Sequence, residues 1–99
     1  MSGEATLVVT ATPNPNEMES VQSYLKGVFP LLLSAGGQLV KRLKVNEVIH
    51  GNRSGMTLVM DFESVEAINT LFSSEEYASL VPVRDQGFTE MNILIATEM

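Results

Sequence analysis

Gly51-Asn52-Arg53-Ser54-Gly55-Met56-Thr57-Leu58-Val59-Met60-Asp61-Phe62 combines a turn with a regularly alternating strand. Its first five residues are a turn by composition, and the seven that follow alternate, with Met56, Leu58, Met60 and Phe62 on one face. Before the turn, Gln38 to His50 also alternates, imperfectly, with Leu39, Leu43, Val45 and Ile49 on one parity and Val40, Arg42, Lys44 and Val48 on the other. This reads as a long or bulged strand, so the two runs form a hairpin.

Upstream, Thr6-Leu7-Val8-Val9-Thr10-Ala11 is rich in β-branched residues and stops at Pro13-Asn14-Pro15, where the fixed φ of proline ends a strand. Asn14 is placed to cap a helix, Pro15 suits its first position, and Glu17 occupies the acidic place of a capping box. Met18, Val21, Leu25, Val28 and Leu32 then lay one apolar stripe along a helix that closes at Gly36-Gly37, with Pro30 expected to kink it. Downstream, Ser64 caps a short helix carrying Ile68, Leu71 and Phe72. Ser73-Ser74-Glu75-Glu76 opens another helical piece through Tyr77, Leu80 and Arg84, which Pro82 should end or bend. Thr89 to Thr97 supplies a last strand with Met91, Ile93 and Ile95 on one face.

The order strand, helix, strand, strand, helix, strand is the split βαβ arrangement of ferredoxin-like α+β domains, with helices on one face of a four-stranded antiparallel sheet. The chain has 99 residues, enough for a single domain spanning residues 1–99. Twelve acids against six bases give a net charge of −6, which provides no attraction to phosphate and argues against nucleic acid or an anionic membrane as partner. With no cysteine and one histidine, a disulfide scaffold, a thiolate nucleophile and a cysteine zinc site are excluded, and neither a metal nor a cofactor is expected. A nicotinamide or flavin site would want a Gly-rich turn opening a helix, whereas Gly36-Gly37 closes one. Haem would lean on His50 alone. The start Met1-Ser2-Gly3-Glu4 has no basic signal segment and no apolar run reaches membrane-span length, which predicts a cytoplasmic protein.

The sheet face turned away from the helices reads Thr6, Val8, Thr10, then Thr57, Val59, Asp61, then Asn92, Leu94, Ala96. Each strand centres an aliphatic residue between smaller or polar ones. Val8, Val59 and Leu94 are therefore expected to form an apolar patch with a polar rim, the composition of an association surface. A chain of this size also gains from dimerising, since alone it buries only about 60 to 70% of its unfolded surface.

Gly36-Gly37-Gln38, Val45 to Gly51, Asp61-Phe62-Glu63-Ser64-Val65-Glu66-Ala67, Ser74-Glu75-Glu76-Tyr77 and Arg84 together resemble the domain-of-unknown-function family 1330, within the dimeric α+β barrel superfamily. The resemblance runs from about Tyr24 to Glu98 and implies a homodimer of ferredoxin-like protomers packed sheet to sheet. It transfers no activity, because relatives in that superfamily include cofactor-independent monooxygenases, isomerases and haem-dependent enzymes. Two positions depart from the family pattern: His50 stands where an acid is frequent, and Ala5, Thr6 and Leu7 stand where aromatics are frequent.

His50 is the one side chain that titrates near neutrality without perturbation, which makes it the natural acid or base, beside its plain reading as a loop histidine. Arg84 lies seven residues from Tyr77, two helical turns, so both can project from one face and orient a carboxylate or enolate; the plain alternative pairs Arg84 with Asp85 or Glu76. Lys41, Arg42 and Lys44 concentrate half of the bases on what the topology makes an edge strand, where lysines guard against strand addition. Met60, Phe62 and Met91 can wall an adaptable apolar pocket or simply fill the core. These residues leave three readings. One is a binding protein that takes a small apolar or carboxylate ligand between sheet and helices, at Tyr77, Arg84, Met60, Phe62 and Met91. Another is a cofactor-independent enzyme of the monooxygenase or isomerase kind, with His50, Tyr77 and Arg84 as catalytic candidates. A purely structural dimer is the third.

Overall fold

The structure, a computed structural model, describes residues 4–99. Most of the start from which a cytoplasmic location was expected, Met1 to Gly3, lies outside them. Strand β1 (Ala5–Pro13) leads through a turn into helix α1 (Met18–Ser34). Strands β2 (Gln38–Lys44) and β3 (Met56–Phe62) follow, then helices α2 (Val65–Phe72), α3 (Glu75–Ala78) and α4 (Val81–Gly87), and finally strand β4 (Phe88–Ala96). The sheet runs β2-β3-β1-β4 with every neighbour antiparallel. This is the expected ferredoxin-like order, with the hairpin of β2 and β3 on one side of β1 and β4 on the other. Among the described residues no helix is long and apolar enough to cross a membrane.

All helices cover one face. On it Leu7, Ala5, Ala11, Met60 and Phe62 are buried against Val21, Tyr24, Val28 and Leu32 of α1 and Ile68 and Leu71 of α2. Removing such aliphatic side chains from water contributes about 1.5 to 3 kcal/mol each, which is what fixes the helices to the sheet. The helix α1 stripe departs from the expected one at two positions, since Leu25 is 40% and Met18 45% exposed, and Tyr24, 4% exposed, joins it instead. The series 21, 24, 28, 32 follows the 3.6-residue period as well as the series through Leu25 does, and the crossing of α1 over the sheet selects between them.

Helix α1 also begins later than its sequence signals suggest. Asn14 Oδ1 accepts the Asn16 N–H at 3.0 Å, and the Asn14 N–H donates to the Gly87 carbonyl at 2.8 Å. Asn14 is thus committed to a side-chain turn that swings the chain past the end of α4, and Glu17 takes the cap position with no side-chain capping bond. The helix runs on past Pro30, which is exposed. At its end the Gly36 N–H donates to Leu33 O and the Gly37 N–H to Leu32 O, each a 5→2 or 6→1 closure with Gly36 at φ +91°. Gly37 has a separate reason to lack a side chain: a Cβ there would lie 2.6 Å from Phe62 Cζ and 2.8 Å from Leu32 O.

Strand β2 stops at Lys44, shorter than the run to His50, because the Val45 N–H turns to the Gly55 carbonyl and Gly51, at φ +107°, lets the loop reverse. A bulge between Leu39 and Lys41 breaks its alternation. Leu39 stands opposite Met60 on the helix side, but past the bulge Arg42 stands opposite Leu58 on that same side, while Lys41 and Leu43 stand opposite Val59 and Thr57 on the other. Leu39 and Leu43 therefore do not share a face. Pro82 divides the expected second helical piece in two: Ser74 Oγ caps α3, and Pro82 sits in the first turn of α4.

Candidate functional site

Tyr24, Tyr77 and Arg84 come from three different helices and meet. Tyr24 is turned inward by the apolar stripe of α1. Tyr77 is aimed by the Ser74 cap, whose Oγ accepts the Tyr77 N–H at 3.1 Å and donates to Leu71 O at 2.7 Å. Arg84 lies in the last turn of α4. The two phenol oxygens are 2.9 Å apart, and Arg84 Nη1 donates to the Tyr77 oxygen at 3.1 Å. Arg84 Nε donates to Asp85 Oδ1 at 3.0 Å. Both tyrosines are 4% exposed, whereas the Arg84 side chain is 25% exposed. The chain of bonds thus leads from the surface to the core.

A guanidinium can only donate, so the Tyr77 oxygen is an acceptor toward Arg84, and a single proton links the two phenols. Burial, and then the hydrogen bond to Tyr77, push the Tyr24 phenol well above its ordinary value, so Tyr24 stays protonated. Arg84 is raised above its ordinary value, first by its hydrogen bond to Tyr77 and further by Asp85, with partial burial opposing. Aromatic edges hold the geometry: Tyr24 meets Tyr77 at 6.3 Å and Phe88 at 5.6 Å, and Phe72 meets Tyr77 at 4.7 Å, all close to perpendicular.

Tyr24 also lines an apolar cavity of about 50 Å³ between α1 and the sheet, with Val28, Leu58, Phe72, Phe88 and Met91 among its walls. Arg84 lines an outer cleft of about 510 Å³ that is bounded by Asp85, Thr89 and Glu90. Phe88, Met91 and Ile93 line both, so the cavity and the outer cleft adjoin across these three side chains. Of the three, the unbranched Met91 is the most adaptable.

Of the residues singled out from sequence, Tyr77 and Arg84 are joined and Met91 lines the cleft with Arg84, while Tyr77 itself, buried behind Arg84, lines neither space. The reason differs from the expected one: they do not share a helix face, since the break at Pro82 puts them on α3 and α4 and folds one toward the other. Met60 and Phe62 are buried in the core, 0% and 2% exposed, and line neither space. His50 is exposed in the loop between β2 and β3 and makes no hydrogen bond to a described residue. Tyr24 was missed; its signal was its place three residues after Val21 and four before Val28. Among the described residues no group of three or more His, Asp or Glu is placed to hold a metal.

The model of the domain of unknown function DUF1330 matches residues 6–99. The chain belongs to this family. No curated protein matches the sequence. Among solved structures, a protein of unknown function from Rhodopseudomonas palustris is similar with a TM-score of 0.82 at 14% identity, covering 100% of this chain and 85% of that one. A dimeric protein of unknown function and ferredoxin-like fold from Bacteroides fragilis aligns with a TM-score of 0.63 at 9% identity, over 98% of each chain. A candidate antibiotic biosynthesis monooxygenase from Bacteroides thetaiotaomicron aligns with a TM-score of 0.70 at 11% identity, covering 98% of this chain and 90% of that one. At these identities the likeness is one of fold, and DUF1330 membership carries no established reaction.

Proposed function

We propose that the protein is a homodimer whose protomers each bind a small, largely apolar ligand bearing one carboxylate or phenolic oxygen, between sheet and helices. The observation that carries the reading is that Arg84 stands at once in an open cleft and at the end of a hydrogen-bonded chain leading to Tyr24 in the apolar cavity. Pockets for small molecules combine apolar walls with a few convergent polar groups, and here, among the described residues, a cation on the cleft is bonded to a pair of phenols that leads to the apolar cavity. The cavity of about 50 Å³ is too small for such a ligand unless Phe88, Met91 or Ile93 yields, so binding should displace one of them.

The test is a titration with hydrocinnamate and with 4-propylphenol followed by NMR. Shifts centred on Phe88, Met91 and Ile93, with the carboxylate weakened by Arg84→Gln, are the expected result. Shifts confined to Lys41 and Lys44, or none while the protein stays folded, overturn the reading.

A second reading, a cofactor-independent enzyme, is supported by the same chain of bonds, in which Arg84 would polarise a substrate oxygen and Tyr77 would pass or receive a proton. The monooxygenase candidate of like fold gives it some weight. It requires that Tyr77→Phe stop turnover of a bound compound without abolishing its binding.

A further inference from the structure

We infer that the protein has a second ligand site, for a medium-chain carboxylate, on the opposite flank of α1 from Arg84. A cleft of about 530 Å³ runs between α1 and the strands β2 and β3, on the helix side of the sheet, with Leu25, Phe29, Met56 and Leu58 among its apolar walls and Lys26 and Arg42 on its lining. It shares no lining residue with the cleft of Arg84. Its volume lies in the range of about 300 to 1,000 Å³ that small-molecule sites occupy, and no acidic residue lines it.

Two observations make this more than an incidental groove. The first concerns charge. The chain has only six bases against twelve acids, yet two of the six line this one cleft, and neither side chain makes an ion pair or hydrogen bond with a described residue. Lysine and arginine held beside apolar walls without a carboxylate leave the anion to be supplied by the ligand.

The second concerns the backbone. From Leu39, which stands opposite Met60 on the helix side, uninterrupted alternation would send Arg42 to the other face. The bulge between Leu39 and Lys41 reverses the parity, so that Arg42 stands opposite Leu58 and lines the cleft, while Lys41 goes to the far side. Bulges are a recurrent means of re-aiming one side chain at a site.

An apolar tail bearing a single carboxylate matches this layout, its head between Lys26 and Arg42 and its chain along Phe29, Leu25 and Met56. Leu25, Val28 and Met56 also wall the closed cavity, so the tail points toward the interior. The exposure of Leu25, 40%, places an apolar surface where this tail would lie.

The probe is decanoate, kept below the concentration at which it forms micelles and titrated into the full chain by NMR and calorimetry. Amide shifts at Gln22, Lys26, Phe29 and Arg42 are expected, with decan-1-ol binding more weakly and added salt weakening decanoate. The double variant Lys26→Gln with Arg42→Gln should weaken decanoate binding at this cleft about tenfold or more and remove these shifts, whereas Arg84→Gln should leave the shifts at Gln22, Lys26, Phe29 and Arg42 in place. Both cations are exposed, so the double variant should keep the wild-type unfolding profile. An unchanged affinity in the folded double variant, or shifts centred on Phe88 and Met91 and abolished by Arg84→Gln, overturns the second site. The latter result would leave the Arg84 reading standing, whereas loss of hydrocinnamate binding alone would leave this one.

Discussion

The hydroxyl of Tyr24 on α1 and that of Tyr77 on α3 lie 2.9 Å apart in the core, and Arg84 reaches the same Tyr77 oxygen at 3.1 Å. This pairing has a consequence for stability at high pH. Tyr24 is held above the ordinary phenol value of 10.0, by burial first and by Tyr77 second. In the unfolded chain it ionises near that ordinary value, so above about pH 10 the unfolded state binds fewer protons than the folded one. Stability should therefore be complete below pH 10 and fall by up to about 1.4 kcal/mol per pH unit above it. Urea unfolding at pH 8, 9, 10 and 11 should show this fall, and Tyr24→Phe should remove most of its slope while costing about 1 kcal/mol at pH 8. A wild-type profile as flat as that of the variant would contradict the assignment.

The sheet face opposite the helices should carry the dimer. Val8 stands directly opposite Val59 on one neighbour strand and Leu94 on the other, so the three aliphatics form one row. Four rim residues of the face are paired: Thr6 Oγ1 donates to Asp61 Oδ1 at 2.9 Å, and Asn92 Nδ2 to Thr10 Oγ1 at 3.1 Å. A partner sheet would then cover an apolar row without stranding the Asp61 carboxylate. Val59→Arg is expected to convert dimer to monomer in analytical sedimentation. A wild-type monomer at micromolar concentration would exclude this interface.

Helix α1 offers a direct check on which face it buries. Leu32 is 2% exposed and Leu25 40%. Leu32→Ala should cost about 2 to 5 kcal/mol in denaturant unfolding, whereas Leu25→Ala should cost clearly less, below about 2 kcal/mol. Equal costs would mean that the helix is rotated from the orientation described.

Gly37 should resist any side chain. A Cβ would meet Phe62 Cζ at 2.6 Å, Leu32 O at 2.8 Å and Met60 Cε at 2.9 Å, and the middle contact is backbone that cannot step aside. Gly37→Ala is expected to destabilise by about 1 to 3 kcal/mol, measured by thermal or urea unfolding. A neutral effect would show that α1 and β3 separate more easily than their packing implies.

What the sequence determined by itself is local. The alternation of Met56 to Phe62, the Ser64 and Ser74 caps and the Gly36-Gly37 closure each depend on a few adjacent residues. They are realised as β3, α2, α3 and the end of α1. Their order was enough to specify the ferredoxin-like topology, because few arrangements bury the apolar faces of four strands under helices on one side. The tertiary structure decided what depends on distant partners. Tyr24 rather than Leu25 faces inward because both satisfy the helical period and only the crossing of α1 over the sheet distinguishes them. Asn14 turns the chain instead of capping the helix because the Gly87 carbonyl claims its N–H. Arg42 reaches the helix side because β2 bulges against β3, a pairing that no pattern within Gln38 to Lys44 discloses. The joining of Tyr24, Tyr77 and Arg84 has the same origin: side chains 53 and seven residues apart become neighbours only when three helices are packed on one sheet.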